Sequence, residues 1–251
     1  MKIKAFFKKL FHKDPAMRKV DLAYPTKWEQ CSREQFRDIC CVLSVQGMTR
    51  DRALFLCLCK LSGIRPDNPK HYSKMRLRGR YPYIYNGNLV LIRPQIIARA
   101  EQDIKFVWDE VGLAPSPFEK TDRLLYNISF KTFFETDSYI LRYMAEKDPA
   151  YLKEAIKILT GGRIRKPLDW QKTGPVIWWN GVKQQLKSQY PYVFRDGDSI
   201  TDKTQAEILL DLLSVMNGDR PQENEKILQC DLHSVLFALN KKYGDAHKTV
   251  H

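Results

Sequence analysis

The sequence has no long run of apolar residues. No stretch of its 251 residues approaches the ~18 apolar residues that a membrane-spanning helix needs. Near the N-terminus, Lys8, Lys9, His12 and Lys13 interrupt any apolar core of a secretory signal peptide. We therefore expect a soluble protein without a transmembrane segment.

Cysteine pairs of the C-x-x-C type are also missing, although such pairs are usual in structural zinc sites. The five histidines are scattered along the chain. Unpaired cysteine is commonly a small buried hydrophobe. We predict free, buried thiols in a reduced, cytosolic setting, with no metal and no cofactor. The six cysteines are Cys31, Cys40, Cys41, Cys57, Cys59 and Cys230.

Motifs for catalysis are absent as well. The sequence contains no nucleophile elbow, phosphate-binding glycine loop, H-E-x-x-H or deaminase pattern. Glu135 and Asp137 are two residues apart on a predicted helix, so their carboxylates point to different faces. A lone helical histidine such as His233 is far more often a surface residue or a satisfied core residue than a base. We therefore predict that the protein is not an enzyme and has no catalytic residues.

What the sequence does contain is typical of a folded protein. Hydrophobic residues make up 43% and aromatic residues 12% of the chain, which excludes a disordered or low-complexity protein. The chain is long enough to bury a core without disulfides or metals, as one large domain or two small ones.

The net charge of +13 is concentrated in two windows. Residues 1–20 and residues 60–80 each carry seven Lys or Arg against one acidic residue. Local basic patches suit contacts with a polyanion or with acidic protein surfaces. The alternative is that both windows are solvated segments that keep the protein soluble.

The periodicity predicts a mainly α fold, an irregular multi-helix domain with one small β-hairpin near Asn86-Gly87. Asn-Gly between β-forming residues is the strongest short-range hairpin signal. The organising helix is the stretch 127–144, with Ser129 as its N-cap. Its stripe contains one acid, Asp137, which must find a donor or turn to solvent. The stripe comprises Phe130, Phe133, Phe134, Asp137, Ile140, Leu141 and Met144.

We predict three regions along the chain. Residues 1–20 form a basic amphipathic arm, and residues 21–112 contain two helices in an antiparallel hairpin, followed by a basic loop and the β-hairpin. Residues 118–243 form a C-terminal helical region, either separate or one domain with 21–112. The Pro-containing stretch 113–126 is the best candidate for a linker, and a further helix is predicted to begin at Pro175.

Several aromatic motifs carry a family resemblance. They resemble a family of largely uncharacterised proteins encoded in phage and prophage structural modules, over about residues 24–62 and 118–240. The basic loop and hairpin at 65–92 and the lysine-rich N-terminus depart from that pattern. The motifs are Tyr24-Pro-Thr-Lys-Trp28-Glu, Ser32-Arg-Glu-Gln-Phe36, Asn127-Ile-Ser-Phe130, Phe134-Glu-Thr-Asp137 with Tyr143, Trp178-Trp179 and Tyr190-Pro-Tyr-Val-Phe194.

The resemblance implies a non-enzymatic virion structural or assembly protein of the tail or neck, located in the virion or in the host cytoplasm during assembly. Its partners would be other phage structural proteins, with a homo-oligomer or ring left open. The alternative is a nucleic-acid-binding accessory protein that uses basic patches at 2–19 and 65–80. In either case cations beside aromatic residues suit an interface. The candidate partner-binding residues are Phe6, Phe7, Lys8, Lys9, Phe11, Tyr72, Lys74, Arg76, Arg78, Arg80, Tyr81 and Tyr83.

Overall fold

A computed structural model describes residues 22–66, 81–164, 167–194 and 204–249. Within these ranges the protein is mainly α-helical with one small β-hairpin, which confirms the predicted fold class. The helices are α1 (Arg33–Leu43), α2 (Arg50–Ser62), α3 (Pro94–Asp103), α4 (Phe106–Asp109), α5 (Phe130–Glu146), α6 (Pro149–Leu159), α7 (Asp169–Gln189), α8 (Gln205–Asn217), α9 (Asn224–Gln229) and α10 (Leu232–Thr249).

The β-hairpin turns at the predicted Asn-Gly pair. Strands β2 (Tyr81–Tyr85) and β3 (Asn88–Ile92) are antiparallel, and both Asn86 (φ 49°) and Gly87 (φ 76°) have the positive φ that this tight turn requires. A two-residue strand, β1 (Arg65–Pro66), pairs with the other edge of β2. The described strands therefore form a three-stranded sheet in the order β1-β2-β3.

The described residues fall into two compact units. The first takes its residues from the ranges 1–30 and 45–110, and the second from 31–44 and 111–251. In the first unit α2 packs against α3, whereas in the second α1 packs against α7. Each of these two helices packs against a helix of its own unit that is more distant in sequence.

In the first unit, Trp28 anchors the N-terminal segment to the core. Its buried ring meets Phe106 edge-on with 5.1 Å between ring centres, and its indole N–H donates to the backbone carbonyl of Glu110 at 3.2 Å. Edge-to-face packing is a preferred geometry of aromatic pairs. The hydroxyl of Tyr24 donates to the carboxylate of Asp103 at 2.8 Å. The segment around Trp28 is therefore held against α3 and α4.

In the second unit, the stretch predicted to organise the chain is α5, which packs closely against α6. Its N-cap is Ser129, as predicted, and the hydroxyl accepts from the backbone N–H of Thr132 at 3.2 Å. Phe130 and Phe133 are buried, and Phe133 stacks on Trp179 of α7 with 5.3 Å between ring centres. The aromatic face of α5 therefore forms part of the core.

The helices α5 and α10 begin side by side. The side chain of Ser129 caps α5, and the side chain of Asp231 caps α10. These two residues also form an isolated antiparallel β-bridge. The backbone N–H of Phe130 donates to the carbonyl of Cys230 at 2.9 Å, and a second bond of 3.1 Å joins the same segments. The bridge satisfies backbone groups that a helix start leaves without intrahelical partners.

The stretch 113–126, which we call the strap, is not the predicted linker. Ala114, Phe118 and Leu125 are buried in the second unit. The carboxylate of Asp122 accepts from two backbone N–H groups of the strap, at 2.8 and 3.2 Å. The prolines suggested a linker, but short polar side chains satisfy the backbone here and allow it to be buried.

Two other contacts hold the strap against the body of the second unit. The hydroxyl of Thr121 donates to the carbonyl of Leu159 at the end of α6, at 3.3 Å. The indole N–H of Trp178 donates to the carbonyl of Arg123 at 3.0 Å. Because both bonds join the strap to helices more than thirty residues away in sequence, the strap is an integral part of the second unit.

The helix α7 begins at Asp169, six residues before the predicted start at Pro175. The side chain of Gln171 accepts from the backbone N–H of Leu168 at 2.8 Å and so satisfies a donor at this helix start. Proline removes one backbone donor and is favoured at helix starts. The prediction used this preference to place the helix start at Pro175. That start is wrong, because Pro175 lies inside α7.

Candidate functional site

A buried carboxylate lies at the centre of the candidate site. Asp137 of α5 accepts a hydrogen bond from the indole N–H of Trp179 at 2.7 Å, and the ammonium of Lys183 lies 3.0 and 3.1 Å from its two oxygens. The side chain of Asp137 is 10% exposed and that of Lys183 is 35% exposed. The prediction that this acid must find a donor or turn to solvent is met by two donors from α7.

The two donors follow from helical spacing. Trp179 and Lys183 are four residues apart, so they lie on the same face of α7, one turn from each other. The charged hydrogen bond from Lys183 and the neutral one from Trp179 compensate for the desolvation of the Asp137 carboxylate. Burial of the same carboxylate without partners would be strongly unfavourable. The sequence indicated that a donor was needed, but it did not identify which of many cations would supply it.

A groove of about 250 Å³ opens beside this ion pair, between α5 and α7. Phe194, which follows α7, completes its lining. The lining residues are Asp137, Ile140, Leu141 and Met144 of α5, Trp179, Asn180, Lys183, Gln184 and Lys187 of α7, and Phe194.

The two walls of the groove differ in chemistry. Past Asp137, the α5 wall is apolar, with Ile140 buried and Met144 39% exposed. The α7 wall presents side-chain amides and two ammonium groups at positions 180, 183, 184 and 187, which share one helix face. A ligand in this groove therefore meets apolar surface on one side and hydrogen-bonding groups on the other.

His233 lies in a second polar cluster, where both of its ring nitrogens have partners. Nε2 is 2.7 Å from the carbonyl oxygen of Leu124, which can only accept, so Nε2 carries the proton. Nδ1 then accepts from the hydroxyl of Tyr190 at 2.8 Å, and the ring of Tyr126 stacks on the imidazole at 3.9 Å. Burial raises the pKa of Tyr190. His233 is thus a satisfied core residue, one of the two predicted alternatives.

The cysteines only partly match their predicted burial. Cys31, Cys40 and Cys57 are buried without disulfides, but Cys41 and Cys230 are exposed. Cys41 follows Cys40 on α1, and neighbouring helical positions point to different faces, so only Cys40 can lie on the buried stripe. Cys230 precedes α10 beside the exposed Asp231. In the described part of the chain, no group of three His, Cys, Asp or Glu side chains could hold a metal ion.

The predicted partner-binding residues fall mostly outside the described residues. Tyr81 begins β2, and the structure describes only its backbone position. Tyr83 is a correction, because its side chain is only 7% exposed and packs near Phe55 of α2 rather than facing solvent. Successive side chains of a strand point to opposite faces, and the ring of Tyr83 lies on the face of β2 toward Phe55. The predicted partner-binding residues that lie outside the described ranges are Phe6, Phe7, Lys8, Lys9, Phe11, Tyr72, Lys74, Arg76, Arg78 and Arg80.

Comparison with known proteins gives no relative. No protein-family model, curated protein or solved structure matches the chain. Within the ranges that the structure describes, no helix is both long and apolar enough to cross a membrane.

Proposed function

We propose that the protein is a non-enzymatic virion structural or assembly protein, which acts by holding a segment of another protein in the groove between α5 and α7. The observation that supports the proposal is the groove itself, a concave surface with one apolar wall and one polar wall. Binding sites are commonly concave and mostly apolar, with a few polar groups that fix orientation. The phage setting is supported by the family resemblance of the aromatic motifs.

The polar groups of the groove favour binding over chemistry. Asp137 already accepts from Trp179 and Lys183, so both of its carboxylate oxygens have donors. A general base needs a lone pair aimed at the substrate proton. Met144 and Phe194, in contrast, are the kind of residues that protein interfaces contain in excess.

The experiment that tests protein binding at the groove uses a photoreactive benzoylphenylalanine at position 144. A matched control carries the same group at Leu210, which is exposed on α8 and does not line the groove. Each full-length variant is co-expressed with the products of the flanking genes and irradiated. We expect a defined adduct with one of those products, or with a second copy of this chain, at position 144 only.

Equal adduct patterns at the two positions would exclude the groove as the binding surface. The virion setting has a separate test, mass spectrometry of purified particles and of assembly intermediates from the host. We expect the chain in one of these fractions. Its absence from both would contradict a structural or assembly role.

Nucleic-acid binding through the two basic windows is the competing function. Titration with salt distinguishes it, because phosphate neutralisation makes log K fall linearly with log salt concentration. Binding to a DNA or RNA duplex that weakens steeply with salt, with no adduct at position 144, would replace the proposed function.

A further inference from the structure

The outer edge of the β-hairpin carries an inference that goes beyond the proposed function. We propose that strand β3 of one chain pairs with β3 of a second copy of the chain, antiparallel and across a two-fold axis. The described strands of the two copies would then form one continuous sheet in the order β1-β2-β3-β3-β2-β1. This surface belongs to the first unit and includes none of the residues that line the groove.

The register of the hairpin decides which backbone groups of β3 face outward. A two-residue turn closes on a hydrogen-bonded pair, here Tyr85 and Asn88, and such pairs alternate with non-hydrogen-bonded pairs along an antiparallel ladder. Asn88 and Val90 therefore bond to β2. The N–H and C=O groups of Leu89 and Leu91 point away from it. Within the described ranges, no strand pairs with this side of β3, and no backbone hydrogen bond reaches Leu89 or Leu91 there.

The two edges of the sheet differ in their protection. On the far side of β2 lies β1, which is only two residues long and ends in Pro66. Pro82 of β2 occupies an outward-facing position and has no N–H. Short edge strands and prolines are devices that prevent the addition of a further strand. The five residues of β3, Asn88–Ile92, include neither a proline nor a charged residue, so this edge keeps its donors and acceptors.

The outward groups of β3 are complementary to themselves. In an antiparallel pair centred on Val90, Leu89 of one copy lies opposite Leu91 of the other, and these two residues exchange both of their backbone hydrogen bonds. The two-fold axis repeats the exchange on the other side of Val90, so each outward N–H and C=O group has a partner. Val90 then lies opposite Val90 of the second copy, and β-branched residues suit this position in a sheet. A second copy therefore supplies the complement that this edge needs.

Charge permits the self-pairing and predicts its salt dependence. Residues 81–92 contain no charged side chain, so two identical strands meet without repulsion between directly opposed groups. The whole chain carries a net charge of +13, and its two copies repel each other at a distance. Salt screens this repulsion, so the dimer should strengthen as the salt concentration rises. Binding of a polyanion to basic patches would weaken instead.

Hydrogen exchange followed by NMR tests the pairing residue by residue in the full chain. The amide of Val90 is bonded within the hairpin and should be protected at every protein concentration. The amides of Leu89 and Leu91 should exchange freely in dilute protein and become about 10-fold more protected as the concentration rises from about 20 to about 500 µM. Sedimentation velocity should show conversion from monomer to dimer over the same range, because a pair of short strands is a small interface.

A proline at position 89 locates the interface. Leu89→Pro removes an outward N–H, and Pro82 shows that this sheet accommodates proline at an outward position. We expect dimerisation to weaken about 10-fold or more, because the two-fold axis removes a hydrogen bond at two places. Leu89→Ala is the matched control, since it also shortens the side chain but keeps the N–H, and it should weaken dimerisation far less. Protection of the Val90 amide in both variants verifies that the hairpin is intact.

Three results would overturn the proposal. A chain that stays monomeric at the highest concentration, with free exchange at Leu89 and Leu91, leaves this edge to a segment of a different protein. Protection of the same amides in dilute protein means that another part of the same chain covers the edge. A dimer that forms equally in Leu89→Pro, or that leaves the Leu89 and Leu91 amides unprotected, uses another surface. The exchange pattern of the unsubstituted protein decides the matter even if Leu89→Pro does not fold.

Discussion

Gly181 lets the middle of α7 touch the backbone at Gly112. A Cβ atom on Gly181 would lie 2.1 Å from the carbonyl oxygen of Gly112, far closer than any side-chain carbon can approach a backbone atom. The strap begins at the next residue, so this contact sets where the strap meets α7.

We expect Gly181→Ala to lower the free energy of unfolding by about 2–4 kcal/mol, because either α7 or the strap must move to admit the methyl group. Gly174→Ala in the same helix is the matched control, since its Cβ would find only ordinary contacts, the nearest at 3.4 Å from Sγ of Cys40. There alanine should be neutral or stabilising by up to about 1 kcal/mol. Urea unfolding of both variants measures the difference, and equal effects would contradict the close contact.

The ion pair of Asp137 and Lys183 should show strong coupling. Lys183→Met leaves the buried carboxylate with Trp179 as its remaining donor, and we expect a loss of about 1–3 kcal/mol, moderated by the partial exposure of Lys183. Adding Asp137→Asn removes the unpaired charge and should recover part of that loss. The coupling energy from a double-mutant cycle should be about 1–2 kcal/mol.

The exposed pair of Lys157 and Glu154 is the control for this cycle, with 2.9 Å between its charged atoms. Lys157→Met should change stability by no more than about 0.5 kcal/mol, as is usual for surface ion pairs. Additive effects of the Asp137 and Lys183 substitutions would mean that the pair contributes no more than a surface pair.

The strap should behave as part of the second unit in solution. Asp122→Ala removes the acceptor of two backbone N–H groups, and we expect a loss of about 1–2 kcal/mol. Glu119→Ala, an exposed acid in the same segment, should have little effect. Trypsin should also spare the bond after Arg123 in the folded protein, because the carbonyl of this residue is bonded to Trp178. Rapid cleavage there would restore the linker interpretation.

Stability should fall at high pH because of Cys57. Burial raises the pKa of the Cys57 thiol from 9.0 to about 12, with a smaller contribution from Cys59. In the unfolded chain the thiol loses its proton near its ordinary pKa, so above that pH the folded chain holds more protons than the unfolded one. The contribution is therefore complete below pH ~9 and decreases as the pH rises toward ~12.

The variant Cys57→Ala isolates this effect from the titration of other groups. Its free energy of unfolding should fall less steeply than that of the unsubstituted protein, measured by urea unfolding at pH values from about 8 to about 11. Cys230→Ala removes an exposed thiol and should leave the slope unchanged. Parallel slopes for all three proteins would show that Cys57 ionises equally in both states.

Local features of the fold could be predicted from the sequence, whereas long-range partners could not. Ser129 as an N-cap and Asn86-Gly87 as a turn depend on a few neighbouring residues, and both are confirmed. The pairing of Lys183 with Asp137 depends on how α5 and α7 pack. The sequence alone did not distinguish Lys183 from the other lysines as the partner. The burial of the strap depends on acceptors and apolar surfaces supplied by distant helices, so its prolines alone were misleading.

The bridge between Ser129 and Asp231 has a consequence for synthesis. It joins positions about one hundred residues apart, so the backbone N–H of Phe130 finds its acceptor only when the residues before α10 have been made. Long-range contacts of this kind slow folding, because the chain loses entropy before the contact stabilises it. On the ribosome, α5 therefore emerges long before the acceptor of its first backbone N–H has been made.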